Sequence, residues 1–207
     1  MRNKIINRCM NLIKNNSDLD DIKLAEVKYG LEGVYMTLTK LVIVVAIALL
    51  LGILKEVIIF LFLYNIIRMP SFGLHATKSW ICLVGTLIVF LTIPYLCKVY
   101  TIPTLIKVIM GFALILLYFK NAPADTYKRP IVSIKRRRTY KFISTLLAII
   151  FVILSLIIEN NFLSNSLIMS LVVQSFIISP TVYKLFNLPY DNYKNYQSNM
   201  VWIWKHI

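Results

Sequence analysis

A histidine and a cysteine seven residues apart are the side chains of this sequence best suited to covalent chemistry. His75 and Cys82 lie in the short polar stretch R-M-P-S-F-G-L-H-A-T-K-S-W-I-C, residues 68–82, between two apolar runs. A cysteine attacks as its thiolate, and a neighbouring imidazole stabilises that thiolate and later protonates a leaving group. The pair therefore predicts a nucleophile with its general base and acid. The simpler interpretation is two unrelated residues in a loop.

Contact between the two side chains requires a bend in the chain near them. Seven residues of a continuous helix put both on one face, but they rise about 10.5 Å, too far for a hydrogen bond. Pro70 and Gly73 offer a break before His75. Ser79 is suited to be the N-cap of the helix that follows. With Cys82 in the first turn of that helix, the helix dipole would also stabilise a thiolate.

The elements that would position this pair are membrane helices. Of the 207 residues, 58% are hydrophobic and the mean hydropathy is +0.72, values outside the range of soluble domains. Six apolar runs approach the ~20 residues that a spanning helix needs. The second run reaches this length only if it continues through Arg68 to about Gly73. The runs are 34–54, 57–67, 80–97, 102–119, 142–158 and 162–183.

The lysine and arginine residues predict the orientation of these spans. Nineteen of the 23 fall in four segments that alternate spans put on one side of the membrane. Because basic residues concentrate in cytoplasmic segments, both termini and the stretch 68–82 are expected in the cytoplasm. The four segments are 1–33, 68–79, 120–141 and 184–207.

We therefore predict an all-α, polytopic integral membrane bundle of about six transmembrane helices that forms a single domain, 1–207. Its expected parts are an amphipathic cytoplasmic segment 1–33, the six-span bundle 34–183 and a cytoplasmic interfacial tail 184–207. Within the first part, Ser17 is suited to be the N-cap of a second helix.

The remaining charge and cysteine patterns exclude other classes of site. The net charge of +14 is split among segments that flank the membrane, so it predicts topology and argues against nucleic-acid binding. The three cysteines and two histidines have no metal-ligand spacing, and we expect neither a metal nor another cofactor.

Three motifs of the sequence resemble those of one family. The stretch 68–82 resembles the R-x(4)-G-x-H-A signature, followed by a cysteine, of the accessory gene regulator B (AgrB) family. Phe72 stands where many relatives have a second glycine. K-Y-G-L-E at 28–32 is similar to the segment before that family's first span, and N-A-P-A-D-T-Y-K-R-P-I at 121–131 is similar to its P-A-D-T-x-x-x-P loop. The three motifs follow the family's order and extend over most of the chain.

The resemblance implies a membrane cysteine endopeptidase of quorum sensing in the cytoplasmic membrane of a Gram-positive bacterium. Such proteins cut the C-terminal tail from an AgrD-like precursor peptide and help to close the remainder into a thiolactone or lactone ring. Carried over to this chain, Cys82 is the nucleophile and His75 is the general base and acid. The implied partners are the precursor, the lipid bilayer and a second copy of the chain in a homodimer.

The loop 121–131 contains a further candidate for the site. Asp125 is the only acid in segment 120–141, and it would either orient His75 or bind a substrate amide. The alternative is a local Asx turn or N-cap after Pro123, with Thr126 in support.

Basic residues are the other candidates for substrate binding. Arg68 either neutralises a substrate carboxylate or oxyanion or is a snorkelling anchor at the end of its span. The run Lys135, Arg136, Arg137 and Arg138 anchors the fifth span, and we expect it also to attract an acidic precursor tail. Processing whose rate and salt dependence survived neutralisation of these four residues would contradict that expectation.

Two functions other than peptide cleavage remain open. A noncatalytic membrane scaffold or exporter component would bind the peptide and would not need Cys82. A small-peptide or ion transporter is a poorer interpretation, because Glu56 and Glu159 fall at span ends and the spans lack buried acidic residues.

Overall fold

The computed structural model describes residues 2–16, 20–74, 79–126 and 130–194, and this part of the chain is almost entirely helical. It contains no β-strand, although Phe72 and Ala124 form one isolated parallel bridge. The predicted all-α class is confirmed. In chain order the elements are α1 Arg2–Asn16, α2 Asp21–Leu50, α3 Leu54–Ser71, α4 Ser79–Leu87, a π-helical turn Ile88–Thr92, α5 Ile93–Val99, α6 Thr104–Asn121, α7 Ile134–Ile157, α8 Asn161–Ile177 and α9 Pro180–Leu185.

The chain divides into two compact units, Met1–Leu51 and Gly52–Ile207. The first contains α1 and α2, which pack against each other. Because α2 has 30 residues, the end of the expected N-terminal segment and the first span are one helix. Its N-cap is Asp20, whose carboxylate accepts a hydrogen bond of 2.9 Å from the Lys23 amide. The N-cap expected at Ser17 lies outside the described residues, and α2 begins after it.

Four helical segments of the described chain are long and apolar enough to cross a membrane, as expected of a membrane protein. Two more fall just short, because α3 carries three charged side chains in 18 residues and α8 has 17 residues. A helix of that length rises about 26 Å, slightly less than the ~30 Å hydrocarbon core. The four segments are Lys23–Leu50, Trp80–Val99, Thr104–Asn121 and Ile134–Ile157.

The second apolar run continues as a helix into the polar stretch 68–82, as predicted. α3 passes through Arg68 and Pro70 and ends at Ser71. It ends there because Phe72 has a φ of 56° and Gly73 a φ of 111°, which no α-helix accommodates.

The third apolar run is a helix interrupted by the π-helical turn. Pro94 has no N–H for the carbonyl of Phe90, and its ring would crowd that carbonyl. The wider turn Ile88–Thr92 accommodates this proline. The buried Phe90 ring packs edge-on against Phe60 and Tyr64 of α3, with ring centroids 5.9 and 5.2 Å away. This aromatic contact joins the third run to α3.

The helix α8 is the centre of the second unit, where it packs against α3, α5, α6 and α7. Most of its residues are buried, and many of them are small or polar, which allows close helix packing and interhelical hydrogen bonds. Near its start, the Asn165 amide donates to the carbonyls of Cys97 and Tyr100 at 3.2 and 2.6 Å. Lys107 of α6 is buried beside it and donates to the Ser164 hydroxyl at 2.5 Å.

The sixth apolar run, expected to be one span over 162–183, is divided into two helices. α8 ends at Ile177, and α9 begins with Pro180 as its first residue. A proline disfavours helical backbone at the residue before it, and Ser179 is accordingly extended, with φ −73° and ψ 130°. The chain therefore turns at this point and does not continue straight to Tyr183.

Candidate active site between α3 and α4

The bend that contact between His75 and Cys82 requires is present at Phe72 and Gly73. Ser79, expected to be the N-cap of α4, is instead the first residue of that helix. Cys82 is therefore the fourth residue of α4, at the end of its first turn, and its side chain is half-buried. His75 lies outside the described residues, so its distance from Cys82 stays a prediction.

Two of the three motifs meet directly in space. The amide of Gly73 donates to the carbonyl of Ala124 at 2.7 Å, and the amide of Ala124 donates to the carbonyl of Ser71 at 3.0 Å. A third bond, 3.2 Å long, joins the amide of Leu74 to the carbonyl of Ile177 at the end of α8. The backbone that leads to His75 is thus paired with the P-A-D-T loop on one side and with α8 on the other.

Gly73 is required by its surroundings as well as by its φ. A Cβ atom there would lie 2.8 Å from Arg68 Nη1, 2.8 Å from Ile177 Cγ2 and 2.9 Å from the Ile177 carbonyl oxygen. Such contacts are much shorter than van der Waals separations, and the backbone oxygen has little freedom to move. Only glycine fits without displacing the loop.

The Arg68 guanidinium turns back onto the loop that follows its own helix. Nη1 donates to the Phe72 carbonyl at 2.6 Å and to Gln174 Oε1 at 3.3 Å, while Nη2 donates to the Leu74 carbonyl at 3.1 Å. These groups include a carbonyl at the C-terminus of α3, where a cation is favoured by the helix dipole. Arg68 therefore holds the loop. Its expected action on a substrate carboxylate or oxyanion stays a prediction.

The carboxylate of Asp125 is almost completely buried and binds backbone amides. Oδ1 accepts from Asn192 at 3.0 Å, and Oδ2 accepts from Tyr193 at 2.9 Å and from Ile131 at 3.3 Å. Arg137 Nη1 lies 3.9 Å from Oδ2. Asp125 thus joins its own loop to the C-terminal part of the chain. Its expected contact with His75 falls outside the described residues.

The other two candidates of this loop have different surroundings. Pro123, which follows a cis peptide bond, is buried, and Thr126 is half-buried. An Asx turn at Asp125 would use the amide of residue 127, which lies outside the described residues, so that alternative stays a prediction.

The basic run at the start of α7 divides into two kinds of residue. Arg137 is half-buried, donates from Nη2 to Asp191 Oδ1 at 3.3 Å, and stacks its guanidinium 3.7 Å from the centroid of the Tyr193 ring. The side chains of the other three are exposed, and they are Lys135, Arg136 and Arg138. Attraction of an acidic precursor tail by this run stays a prediction.

Residues 188–194, the C-terminal segment, form part of this site although the sequence predicts only an interfacial tail. The Tyr190 hydroxyl donates to the Asn121 carbonyl at 3.3 Å, and burial, with Asp191 nearby, raises the pKa of Tyr190 to about 12. Its phenol therefore stays protonated as a donor. A hydrogen bond to Asp191 raises the pKa of Lys194. Residues 195–207 of the expected tail lie outside the described residues.

A second missed residue is Gln174 in α8. Its side chain is fully buried, and its Nε2 donates to the Phe72 carbonyl at 2.7 Å. The signal for it was present in the sequence, because an amide inside an apolar run must find a partner. The C-terminal segment offered no such signal, because backbone amides of that segment bind Asp125.

Comparison with known proteins agrees with these motifs. The model of the family described as Accessory gene regulator B (AgrB) matches residues 6–178. An AgrB-like protein of Clostridium acetobutylicum is 31% identical over 180 residues, covering 86% of both chains. One of Listeria welshimeri is 33% identical over 180 residues, covering 86% of this chain and 87% of its own. No solved structure matches this chain. With the matched region reaching from α1 to the end of α8, the chain belongs to the accessory gene regulator B family.

Proposed function

We propose that this protein is a membrane cysteine endopeptidase that cleaves an AgrD-like precursor peptide and promotes its cyclisation for quorum sensing. Membership of the AgrB family supports a part in the processing of a quorum-sensing peptide. The finer assignment depends on Cys82 as nucleophile and His75 as general base and acid. The observation that carries it is the bend at Phe72 and Gly73, which ends α3 before His75, together with the half-buried position of Cys82 near the start of α4.

In the first step the Cys82 thiolate attacks the carbonyl carbon of the scissile peptide bond. The carbon–nitrogen bond breaks, and His75 donates a proton to the departing amine, so that the C-terminal tail of the precursor is released. The remaining peptide is held as a thioester on Cys82. The partial positive charge at the N-terminus of α4 favours the thiolate before attack.

In the second step a cysteine thiol or serine hydroxyl within the bound peptide attacks the thioester. His75 accepts its proton, the bond to Cys82 breaks, and the product is a thiolactone or lactone ring. Hydrolysis by water competes with this step, so the site must hold the peptide folded back and exclude water. The loop 72–74 and the P-A-D-T loop, which are hydrogen-bonded to each other, would form one wall of such a site.

The membrane topology that fits this reaction has six spans with both termini in the cytoplasm. It puts His75 and Cys82 on the side where a ribosomally made precursor arrives. The support comes from the distribution of basic residues, which concentrates nineteen of the 23 in four segments on that side.

Substitution of the two catalytic residues tests the proposal. In cells that co-express the cognate precursor, we expect Cys82→Ala and His75→Ala to abolish release of the tail, measured by mass spectrometry, while the protein stays in the membrane. Cys97→Ala is the matched control, since Cys97 is buried far along the third run and should be dispensable. Cleavage retained by Cys82→Ala would exclude a cysteine endopeptidase and favour a scaffold or exporter component.

A further inference from the structure

Gln174 is a buried amide whose hydrogen bonds leave its own helix. Its side chain is 0% exposed in the apolar helix α8, where an unpaired amide would be costly. Nε2 donates to the Phe72 carbonyl at 2.7 Å, and Oε1 accepts from Arg68 Nη1 at 3.3 Å. Within the described part of the chain, the nearby Ser170 and Ser175 hydroxyls bond to carbonyls of α8 itself. These two hydrogen bonds of the Gln174 side chain therefore link α8 to the C-terminal end of α3.

The backbone that Gln174 holds is strained. Phe72 has φ 56° and ψ −132°, a region that is unfavourable for a residue with a side chain and persists only where the surroundings enforce it. Two donors converge on its carbonyl oxygen, Arg68 Nη1 at 2.6 Å and Gln174 Nε2 at 2.7 Å. Arg68 belongs to α3, which ends just before Phe72, so its bond alone does not fix the Phe72 carbonyl relative to α8. The bond from Gln174 does.

The orientation of the Phe72 carbonyl fixes the direction of the chain three residues before His75. The same amide also orients the Arg68 guanidinium, whose Nη2 holds the Leu74 carbonyl at 3.1 Å. Gln174 thus acts on both ends of the segment 72–74, once directly and once through Arg68. Without these two bonds, the described link between this segment and α8 is the backbone bond from Leu74 to Ile177, which does not fix the Phe72 carbonyl. The orientation of that carbonyl, and with it the direction of the chain toward His75, could then change.

We infer that Gln174 is a positioning residue, which sets the approach of His75 to Cys82 by holding the strained backbone of Phe72. The inference rests on the proposed function, because it assigns Gln174 to the same reaction. Gln174 touches no reacting atom, so its removal should lower the rate of the acylation step and leave binding of the precursor unchanged. Misplacement of a catalytic group by about 1 Å costs on the order of 100-fold in rate.

The test uses purified full-length protein in proteoliposomes with a synthetic precursor. Gln174→Met keeps the length of the side chain and removes both hydrogen bonds, and Gln174→Glu keeps an acceptor for Arg68 but has no donor for Phe72. We expect both variants to lower kcat about 10- to 100-fold with KM unchanged. We also expect Cys82 to be alkylated more slowly than in the parent protein under the same conditions, because the imidazole no longer assists. Ser170→Ala, one turn away and equally buried, should match the parent protein in both measurements.

The two levels of the hypothesis fail in different ways. Parent-like kcat and alkylation in Gln174→Met, with cleavage abolished in Cys82→Ala, would overturn only the role of Gln174. A rise in KM alone would assign Gln174 to substrate binding and overturn positioning. Failure of both variants to fold would make Gln174 a stability residue and overturn positioning as well. Cleavage by Cys82→Ala would overturn the proposed function itself.

Discussion

At the scale of single residues, the molecule stores strain next to its candidate nucleophile and base. Phe72 occupies a backbone region suited to glycine, with φ 56° and ψ −132°. Its ring is held 4.9 Å from that of Tyr140 in an edge-on contact, and its carbonyl accepts two side-chain hydrogen bonds. These contacts offset the strain, so that phenylalanine is tolerated at a backbone conformation that disfavours any residue with a side chain.

Substitution of Phe72 separates the cost of its backbone from the contribution of its ring. Phe72→Ala and Phe72→Gly both remove the ring, but only alanine retains the strain of a Cβ at φ 56°. We expect the glycine variant to be more stable by about 1–2 kcal/mol, measured as the free energy of unfolding in mixed detergent micelles. At Thr139, an exposed position within α7, the order should reverse, since alanine favours helix by about 1 kcal/mol over glycine. Equal stability of the two variants at position 72 would mean that the strain is absent.

At the scale of elements, hydropathy predicts where helices lie better than where they end. The second run was expected to continue through Arg68, and α3 does so, because its apolar pattern extends that far. The division of the sixth run at Pro180 was visible as a proline inside an apolar run and was missed. The C-terminal segment is docked by hydrogen bonds from the amides of Asn192 and Tyr193 to the Asp125 carboxylate. Every residue type except proline has such an amide, so the sequence does not reveal which amides will bind. The same reason hid the pairing of Gly73 with Ala124.

Asp125 is the residue on which the docking of the C-terminal segment depends. In Asp125→Asn, one carboxylate oxygen becomes an NH2 group that faces a backbone N–H and can accept nothing from it. A buried donor left without its acceptor costs about 1–3 kcal/mol, which corresponds to roughly 5- to 150-fold faster local opening. We therefore expect faster hydrogen–deuterium exchange at the amides of Asn192 and Tyr193.

The matched control for this exchange experiment is Asp191→Asn. Asp191 pairs with Arg137 and Lys194 through partly exposed side chains, and such ion pairs contribute about 0–1 kcal/mol. Its loss should leave the exchange of the segment nearly unchanged. If Asp125→Asn instead lowered the cleavage rate with normal exchange, the carboxylate would be an orienter of His75 and not an anchor.

At the scale of the whole molecule, the contacts of α3 and α8 bear on whether these two short helices cross the membrane. The third run is a spanning candidate, Trp80–Val99, so Phe72 before it and Tyr100 after it belong to opposite ends. α8 binds the Tyr100 carbonyl through Asn165 and the Phe72 carbonyl through Gln174. Between these two contacts α8 lies alongside the third run, an arrangement that agrees with the expected sixth span without establishing it.

The same reasoning applies to α3. Near the start of α3, Glu56 forms an ion pair of 2.7 Å with Lys98 at the end of α5. The last residue of α3, Ser71, is followed by Phe72. The charged residues of α3 thus lie at its two ends, where they reach the membrane interfaces, and the middle of the helix is apolar. The three charged residues keep α3 out of the four spanning candidates, but their placement at its two ends agrees with the expected second span.

Labelling of single cysteines decides between six spans and four, because the two topologies put most connections on opposite sides. In a chain whose native cysteines are replaced, cysteine is introduced at Tyr100, Ser133, Glu159 or Leu185, all exposed. With six spans, a membrane-impermeant maleimide applied to intact cells should label positions 100 and 159 and spare 133 and 185, and lysis should make all four reactive. If neither α3 nor α8 crossed, 133 would be labelled while 100 and 159 would be spared. That outcome would also put the eight basic residues of 120–141 outside the cell, against the charge rule for membrane proteins. Labelling at 185 together with 100 and 159 would show that α3 crosses and α8 does not.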